Sequence, residues 1–204
     1  DIYAWFQDLL LWPGRLLAES TLVDKSTAAA LAEELFESLL PALSEAASKI
    51  PIAQSGIVAL DWLNGRRTPD ANQNLRGALT GLNLSSDAPR VFRSLVEATA
   101  FGGKAIVERF LSESIQIKEV IAIGGVARES SFAMQVLADV LNMEIKVARS
   151  EQTVALGAAM FAAVVGGVYA NINEAQASMS CGIETVYKPI EEHVRQYQLL
   201  YGKY

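Results

Sequence analysis

The amino-acid sequence predicts an α/β domain in which helices wrap a central sheet. Short apolar segments alternate with helical patterns in the second half of the chain, which is typical of a sheet with parallel neighbouring strands. The first half is dominated by long segments with helical spacing. Because 51% of the 204 residues are hydrophobic, the chain can bury a substantial core, which argues against disorder.

The first half of the chain is expected to form helices separated by breaks. A helix from Asp1 to Leu11 would stop at Trp12-Pro-Gly14, because proline and glycine interrupt helical patterns. A longer helix follows from Asp24 to Ser48, with Asp24 or Ser26 as its N-cap.

The middle of the chain combines a strand, a polar loop and a buried helix. We expect the strand from Gly56 to Trp62, the loop from Asn64 to Asp70 and a short helical stretch from Leu75 to Leu82. Asp87 would cap the next helix, which runs toward Ser114. Gly102-Gly103 in its middle costs roughly 1 kcal/mol per glycine relative to alanine, so we expect another backbone to approach closely there.

The second half begins with the most informative stretch of the chain. An apolar strand, Val120 to Ile123, runs into Gly124-Gly125, and an amphipathic helix from Arg128 to Leu141 follows. The glycines would let the backbone turn sharply, and the helix would point its unpaired N–H groups and positive dipole end at the turn. This arrangement can hold a nucleotide, although a tight connection inside an ordinary α/β domain explains it equally well.

The remaining elements complete the sheet and its cover. A second strand is expected from Glu144 to Ala148. The helix from Glu151 to Ala163 consists almost entirely of small residues, which favour close packing of the helix on a sheet. Two more helices are expected from Asn173 to Met179 and from Ile190 to Tyr201.

Composition and charge argue against several classes of function. The net charge of −6 argues against a nucleic-acid surface, and no apolar run reaches the roughly 20 residues that span a bilayer. We therefore expect neither nucleic acid nor a membrane as a partner. The single cysteine, Cys181, excludes an internal disulfide, fits the reducing cytoplasm and is expected to be at least half-buried. The one histidine, His193, is expected in solvent, so we assign no metal site and no catalytic residue to this chain.

Two segments resemble the adenosine-binding end of the FGGY family of carbohydrate kinases: Gly124 to Leu141 and Glu151 to Ala159. Leu60 to Gln73 and Ala98 to Gly103 are similar to the members of that family that act on L-ribulose. The resemblance covers nearly the whole chain, and the Gly-Gly segment is fairly specific to the family. It implies an actin-like ATPase (ribonuclease H-like) fold with a central sheet wrapped by helices.

The resemblance also implies an activity and a domain organisation. Residues 1–204 would form the single C-terminal, nucleotide-binding domain of a two-domain cytoplasmic kinase. That kinase would use ATP and Mg²⁺ to phosphorylate L-ribulose in L-arabinose catabolism. ATP or ADP would bind this domain, whereas L-ribulose, the catalytic aspartate and the phosphate loop would belong to an N-terminal domain before Asp1. The chain by itself is therefore expected to be inactive.

Self-association is also expected. Apolar residues of the first helix lie at helical spacing and would pack within the intact kinase; they are Ile2, Trp5, Phe6, Leu9 and Leu10. Uncovered apolar patches favour association, so we predict a homo-oligomer at high concentration.

The nucleotide site that the resemblance implies centres on the Gly-Gly turn. The backbone of Gly124-Gly125-Val126 would lie against the phosphates and the ribose. Ser130 matches a polar position that touches adenine in related kinases. Glu129 or Arg128 could take that place instead, because the loop is one residue longer than in some relatives. A simple helix N-cap is the alternative role for Ser130.

Asp61, at the end of its strand, resembles a position where glutamine meets the nucleotide in related sugar kinases. An aspartate there could accept a hydrogen bond from a ribose hydroxyl or orient Mg²⁺-bound water; the alternative is a structural acid bonded to the following loop. That loop contains Asn64, Arg66, Arg67 and Asp70, and we expect it to line the cleft between the two domains. The arginines would contact phosphate or the other domain, or else be solvated or paired with Asp70.

Two other functions stay open on the sequence. The first is a different FGGY kinase, acting on xylulose, glycerol or another polyol, against which the segment from Leu60 to Gln73 argues. The second is a non-catalytic actin-like nucleotide-binding module. It predicts nucleotide-dependent self-association rather than sugar-dependent release of ADP.

Overall fold

The structure, a computed structural model, describes residues 2–204 and confirms the α/β class. Its helices are α1 (Ile2–Leu10), α2 (Trp12–Ala18), α3 (Lys25–Ser48), α4 (Ala88–Ser112), α5 (Gly125–Glu129), α6 (Ser131–Leu141), α7 (Thr153–Val165), α8 (Ile172–Met179) and α9 (Glu191–Tyr201). Its strands are β1 (Val58–Leu60), β2 (Ala78–Thr80), β3 (Val120–Ala122), β4 (Ile145–Ala148) and β5 (Ile183–Tyr187). The strands form a hairpin of β1 with β2 and a second sheet in the order β3-β4-β5.

The helices at the start of the chain follow the sequence prediction with one correction. The first helix is confirmed from its second residue onward, and Asp1 lies outside the described residues. Trp12-Pro-Gly14 does not leave a gap between helices, because Pro13 lies in the first turn of α2, where a missing N–H breaks no helical hydrogen bond. Asp24 caps α3 as expected, and its carboxylate accepts a hydrogen bond of 3.1 Å from the backbone N–H of Ser26.

The segment from Leu75 to Leu82 contains strand β2, not the expected short helix. This strand pairs antiparallel with β1, which is the only part of the strand expected from Gly56 to Trp62 that forms within the described residues. Gly81 has a φ of +78°, and a Cβ there would lie 2.1 Å from the carbonyl oxygen of Gly56. The two backbones are therefore in close contact, and pairing with a segment distant in sequence overrides the local helical preference.

Helix α4 is central and buried, as expected, with Asp87 as its N-cap. Its two glycines meet side chains, so the expected close approach of another backbone is wrong. A Cβ at Gly103 would lie 3.5 Å from Leu137 of α6, and one at Gly102 would lie 3.7 Å from the hydroxyl of Tyr204. Both are ordinary van der Waals distances, so packing alone does not require glycine at either position.

Strand β5, which the sequence analysis did not predict, adds an antiparallel neighbour to the parallel pair β3 and β4. The inner face of this sheet includes Val120, Ile145 and Tyr187 and packs into the core with α6. On the other face, Ile121 and Val186 are exposed. Within the described residues, these two positions of the sheet are therefore left open to solvent.

The helix predicted to follow Gly124-Gly125 is divided into α5 and α6, with Ser130 between them. Because α5 has only five residues, its dipole is small, and the longer helix does not start at the turn. The expectation that a long helix points its N-terminus at the Gly-Gly turn is therefore wrong. The small residues of α7 were also expected to pack closely. Gly157 does not, because a Cβ there would meet no atom within 4 Å.

Two side chains lie in surroundings that the sequence analysis did not predict. Cys181 is exposed rather than half-buried. His193 is not free in solvent: its side chain is 38% exposed, and its Nδ1 lies 2.8 Å from Oδ2 of the buried Asp139. Asp139 also accepts a hydrogen bond of 2.8 Å from the backbone N–H of Ile190, so it fixes the start of α9 on α6.

Candidate functional site

The Gly-Gly turn lies on the surface between β3 and α5. Gly124 has a φ of +89° and a ψ of −179°, a conformation that strains residues with a side chain. A Cβ at Gly124 would meet no atom within 4 Å, and one at Gly125 would lie 3.9 Å from the carboxylate of Glu129. Gly125 and Val126 are exposed too, so the turn has open space around it that a ligand could fill.

Ser130 is a helix cap in the structure, which agrees with one of its two predicted roles. Its Oγ accepts a hydrogen bond of 3.2 Å from the backbone N–H of Ala133 in α6. Arg128 is unsuited to replace it at the ligand, since its guanidinium pairs with Glu151 at 3.0 Å and with Glu184 at 3.6 Å. Ser130 and Glu129 line a cavity, whereas Arg128 does not.

That cavity, the interhelical cavity, has a volume of about 670 Å³ and lies between the end of α3, α6 and α9. Most of the charged groups on its wall are already bonded. Asp139 accepts hydrogen bonds from Gln135 and Ile190 and contacts His193. Arg93 is bonded to the carbonyl groups of Ala47 and Ile50 and to Glu97. The polar groups that the cavity offers to a ligand are therefore few.

A second cavity, the loop cavity, has a volume of about 980 Å³. It brings together all the predicted residues of the strand end and the cleft loop, namely Asp61, Asn64, Arg66, Arg67 and Asp70. Its other walls are the start of α1, the middle of α4 and Tyr204. These residues therefore share one surface recess, and their role in a cleft between two domains stays a prediction.

The loop is held in a hairpin-like shape by its backbone. Arg66 and Asn72 exchange two backbone hydrogen bonds, of 3.0 and 2.9 Å. Gly65 has a φ of +85°, and a Cβ there would lie 2.5 Å from the Cα of Gln73, so only glycine fits. The Arg66 guanidinium lies over the ring of Trp62 at 5.5 Å, which fixes it against the wall of the loop cavity.

The two arginines of the loop differ in their partners. Arg66 donates a hydrogen bond of 3.0 Å to the backbone oxygen of Asp70, not to its carboxylate. The carboxylate of Asp70 lies 3.3 Å from Arg109 of α4 instead. Arg67 makes no hydrogen bond or ion pair within residues 2–204, so its guanidinium is available to an anion at the cavity.

Asp61 is anchored by a residue far away in sequence. The Tyr204 hydroxyl donates a hydrogen bond of 3.4 Å to its Oδ1 and accepts one of 3.3 Å from the indole N–H of Trp62. Burial raises the pKa of the Asp61 carboxyl above its ordinary value. No sequence pattern links Asp61 with Tyr204, so sequence reasoning missed this partner; the only hint was the unexplained glycine pair in α4.

The structure does not bring all the predicted nucleotide-site residues together. Gly124, Gly125 and Val126 line neither cavity, Ser130 lines the interhelical cavity, and Asp61 lines the loop cavity. Across residues 2–204 no group of three or more histidine, cysteine and acidic side chains could hold a metal ion. In the same part of the chain, no helix has both the length and the apolar character to cross a membrane.

Comparison with known proteins identifies relatives along nearly the whole chain. Residues 1–165 match the model of the FGGY family of carbohydrate kinases, C-terminal domain. The ribulokinase of Vibrio parahaemolyticus is 49% identical over 189 residues, which are 93% of this chain and 33% of that protein. The ribulokinase of Halalkalibacterium halodurans is 39% identical over 211 residues, which cover 100% of this chain and 35% of that protein. The chain thus spans about a third of the length of the curated relatives it matches.

Solved structures have the same fold. A gluconate kinase from Lactobacillus acidophilus has a TM-score of 0.72 at 23% identity, over 100% of this chain and 36% of that one. A ligand-bound xylulose kinase from the same organism has a TM-score of 0.70 at 23% identity, over 79% of this chain and 32% of that one. At such identities the likeness concerns the fold alone, and it confirms the expected actin-like architecture.

Proposed function

The chain belongs to the FGGY family of carbohydrate kinases, in the family's C-terminal domain, and on this premise we propose that it is the nucleotide-binding domain of a ribulokinase. The complete kinase would be cytoplasmic and would transfer the γ-phosphoryl group of ATP to the 5-hydroxyl of L-ribulose. This chain would bind ATP or ADP and form one wall of the cleft. The catalytic base and most sugar contacts would come from a second domain.

The observation that carries the proposal is the contrast in sequence identity. The two curated ribulokinases described above are 39 and 49% identical to this chain over 100 and 93% of it. The solved xylulose and gluconate kinases reach only 23% although they have the same fold. Since all these proteins have one architecture, the difference lies in side chains. It supports a ribulokinase over another sugar kinase.

The Gly-Gly turn fits the phosphate and ribose end of a nucleotide. Gly124 and Gly125 have no Cβ, and the space around them is open, so a ligand could reach the backbone N–H groups. Val126, which is also exposed, would contribute its backbone at the same place. Ser130 would meet the adenine while its Oγ caps α6, because both roles can coexist if the backbone faces the ligand.

Mg²⁺ would be bound mainly through the nucleotide. The described residues hold no cluster of acids and histidines for a metal, and Mg²⁺ in kinases is commonly held by substrate phosphates, waters and one or two carboxylates. Asp61 is the carboxylate of this chain that could meet a metal-bound water. The unpaired guanidinium of Arg67 would help to neutralise phosphate charge, which is a large part of catalysis in phosphoryl transfer.

A chimeric kinase tests the proposal. The segment of the Vibrio parahaemolyticus ribulokinase that matches this chain is replaced by residues 1–204, and ADP release is followed with L-ribulose, xylulose, gluconate and glycerol. We expect turnover to be fastest with L-ribulose and to require Mg²⁺. The 204-residue chain by itself should give no sugar-dependent ADP release.

Two results would count against the proposal. A folded chimera, judged by a cooperative thermal melt, that prefers xylulose, gluconate or glycerol would assign the chain to a different kinase. A folded chimera that binds ATP and assembles with nucleotide, but phosphorylates none of the sugars, would favour a non-catalytic nucleotide-binding module. The unmodified Vibrio parahaemolyticus enzyme is the control for the assay.

A further inference from the structure

The packing of the protein does not explain why residue 102 is a glycine, which lowers the stability of a helix. Gly102 lies in the middle of α4, where glycine is about 1 kcal/mol less favourable than alanine. A Cβ there would lie 3.7 Å from the Tyr204 hydroxyl and 4.0 Å from Oδ2 of Asp61, both comfortable distances. The chain could therefore hold alanine at this position. What the missing methyl group leaves is space in the loop cavity, directly beside the Asp61 carboxylate.

The Asp61 carboxylate is held in a fixed orientation at that space. Tyr204 donates to Oδ1 at 3.4 Å, and Trp62 donates to the same hydroxyl at 3.3 Å. The Tyr204 ring is itself fixed, because it packs at 5.5 Å against Phe101 and at 6.1 Å against Tyr201. A carboxylate that is oriented in this way beside a recess can accept hydrogen bonds from a ligand with little further ordering.

The rest of the loop cavity has the composition of a site for a ligand rich in hydroxyl groups. Trp5 and Trp62 provide flat apolar surfaces, and Asn64 provides an amide that both donates and accepts. The acids of the cavity are Asp61 and Asp70, and among the described residues they belong to no group of three or more side chains that could bind a metal. A cation is therefore the poorer match. Arg67 would add a donor at the edge of the cavity.

We propose that the loop cavity binds the adjacent hydroxyl groups of a polyhydroxylated ligand, with Asp61 as acceptor, Tyr204 as the residue that positions Asp61, and Gly102 as the gap that admits the ligand. Two sources have this chemistry: the ribose of the nucleotide and the acceptor sugar. The inference deepens the proposed function, since it assigns a role to one wall of that cleft.

Fluorine NMR on the 204-residue chain tests the site without relying on catalysis. The chain has three tryptophans, so labelling with 5-fluorotryptophan gives three signals. Trp5 and Trp62 line the loop cavity, whereas Trp12 does not and serves as an internal control. The protein is titrated up to tens of millimolar with ATP, 2′-deoxy-ATP, L-ribulose and xylulose. We expect the signals of Trp5 and Trp62 to shift, and the signal of Trp12 to stay in place.

The titrations distinguish the two sources of hydroxyl groups. A shift with ATP that is weakened with 2′-deoxy-ATP identifies the ribose, because the deoxy compound lacks the adjacent pair of hydroxyls. A shift with a sugar identifies the acceptor. If no compound shifts the Trp5 and Trp62 signals, the proposal is overturned, whatever sugar the chimeric kinase phosphorylates.

Three variants test the assigned roles. Asp61→Asn should weaken binding about tenfold, because the ligand hydroxyls would then donate to a neutral acceptor instead of a charged one. Tyr204→Phe should weaken it severalfold in wild type and not at all in the Asp61→Asn background, since Tyr204 acts through Asp61. Gly102→Ala should weaken binding severalfold while it raises the melting temperature or leaves it unchanged, because alanine favours the helix.

The matched control is Tyr201→Phe. It removes a hydroxyl that bonds Glu108 at 2.8 Å and lies outside the loop cavity, so ligand affinity should not change. The proposal fails if Gly102→Ala and Asp61→Asn bind the ligand as tightly as wild type. It fails equally if Tyr204→Phe weakens binding as much in the Asp61→Asn background as in wild type.

Discussion

The guanidinium group of Arg93 donates a hydrogen bond of 2.8 Å to the carboxylate of Glu97, one turn further along α4, and both side chains are almost completely buried. Arg93 also donates to the carbonyl oxygens of Ala47 at 3.0 Å and Ile50 at 2.7 Å, at the end of α3. Its remaining nitrogen donates to the Tyr197 hydroxyl of α9 at 2.9 Å. One side chain at the wall of the interhelical cavity therefore joins three helices.

The two partners of this ion pair should differ in their importance for stability. Arg93→Met leaves the Glu97 carboxylate without a cation and removes the hydrogen bonds to α3 and α9, so we expect a loss of about 3–5 kcal/mol. Glu97→Gln keeps an acceptor for Arg93 and should cost on the order of 1 kcal/mol. Urea unfolding followed by circular dichroism measures both. Equal losses for the two variants would contradict this account of the network.

Glu97 should also make stability depend on pH. Burial raises its pKa from 4.5 to about 7, so the folded state holds a proton that the unfolded state releases. The contribution of Glu97 to the free energy of unfolding should therefore be highest below pH 4.5. It should fall as the pH rises through about 7. The slope is at most about 1.4 kcal/mol per pH unit for one proton. Comparing unfolding at several pH values in wild type and Glu97→Gln isolates the effect, which the variant should lack.

Two glycine-to-alanine substitutions should have opposite effects on stability. At Gly65 a Cβ would lie 2.5 Å from the Cα of Gln73 and φ is +85°, so Gly65→Ala must distort the loop and should lower the melting temperature. At Gly157 the Cβ would meet open space within α7, so Gly157→Ala should stabilise the chain by up to about 1 kcal/mol. Thermal melts compare the two. A destabilising Gly157→Ala would show that α7 packs more tightly than the structure indicates.

Ser130→Ala separates a capping role from a ligand role. Loss of the hydrogen bond to the Ala133 N–H should cost on the order of 1 kcal/mol of stability. If Ser130 also meets adenine, the affinity for ATP should fall several times in calorimetric titration. Ser131→Ala is the control, because it removes a neighbouring hydroxyl that caps nothing and should change neither quantity. Unchanged ATP affinity in Ser130→Ala would leave the cap as its role.

Self-association remains a prediction, but fewer residues of α1 than expected are exposed and able to form the contact. Phe6 is buried in the core and cannot take part, whereas Trp5 and Leu9 are exposed on α1. Leu9→Gln should therefore reduce association at high concentration without a loss of stability, because little burial is lost. Light scattering over a range of concentrations measures this. A strict monomer in the wild type would refute the prediction.

Sequence reasoning predicted best where a single local signal decides the structure. The caps at Asp24 and Asp87 are formed by side chains that reach backbone N–H groups within the next turn, so a few consecutive residues suffice. The Gly-Gly turn after β3 is as local, and the family likeness rests on it. The residues of the loop from Asn64 to Asp70 line one cavity, and their role in a cleft stays a prediction.

Contacts between residues far apart in the chain could be known only from the tertiary structure. Strand β2 lies where a short helix was expected, because pairing with β1 supplies hydrogen bonds that no local pattern reveals. Asp61 is oriented by Tyr204, and His193 is held by Asp139, through contacts that span more than fifty positions. The sequence by itself determined the fold class and proposed the residues of the candidate site. Which of them face one another was settled by packing, because burial and hydrogen bonding between distant segments are properties of the folded chain.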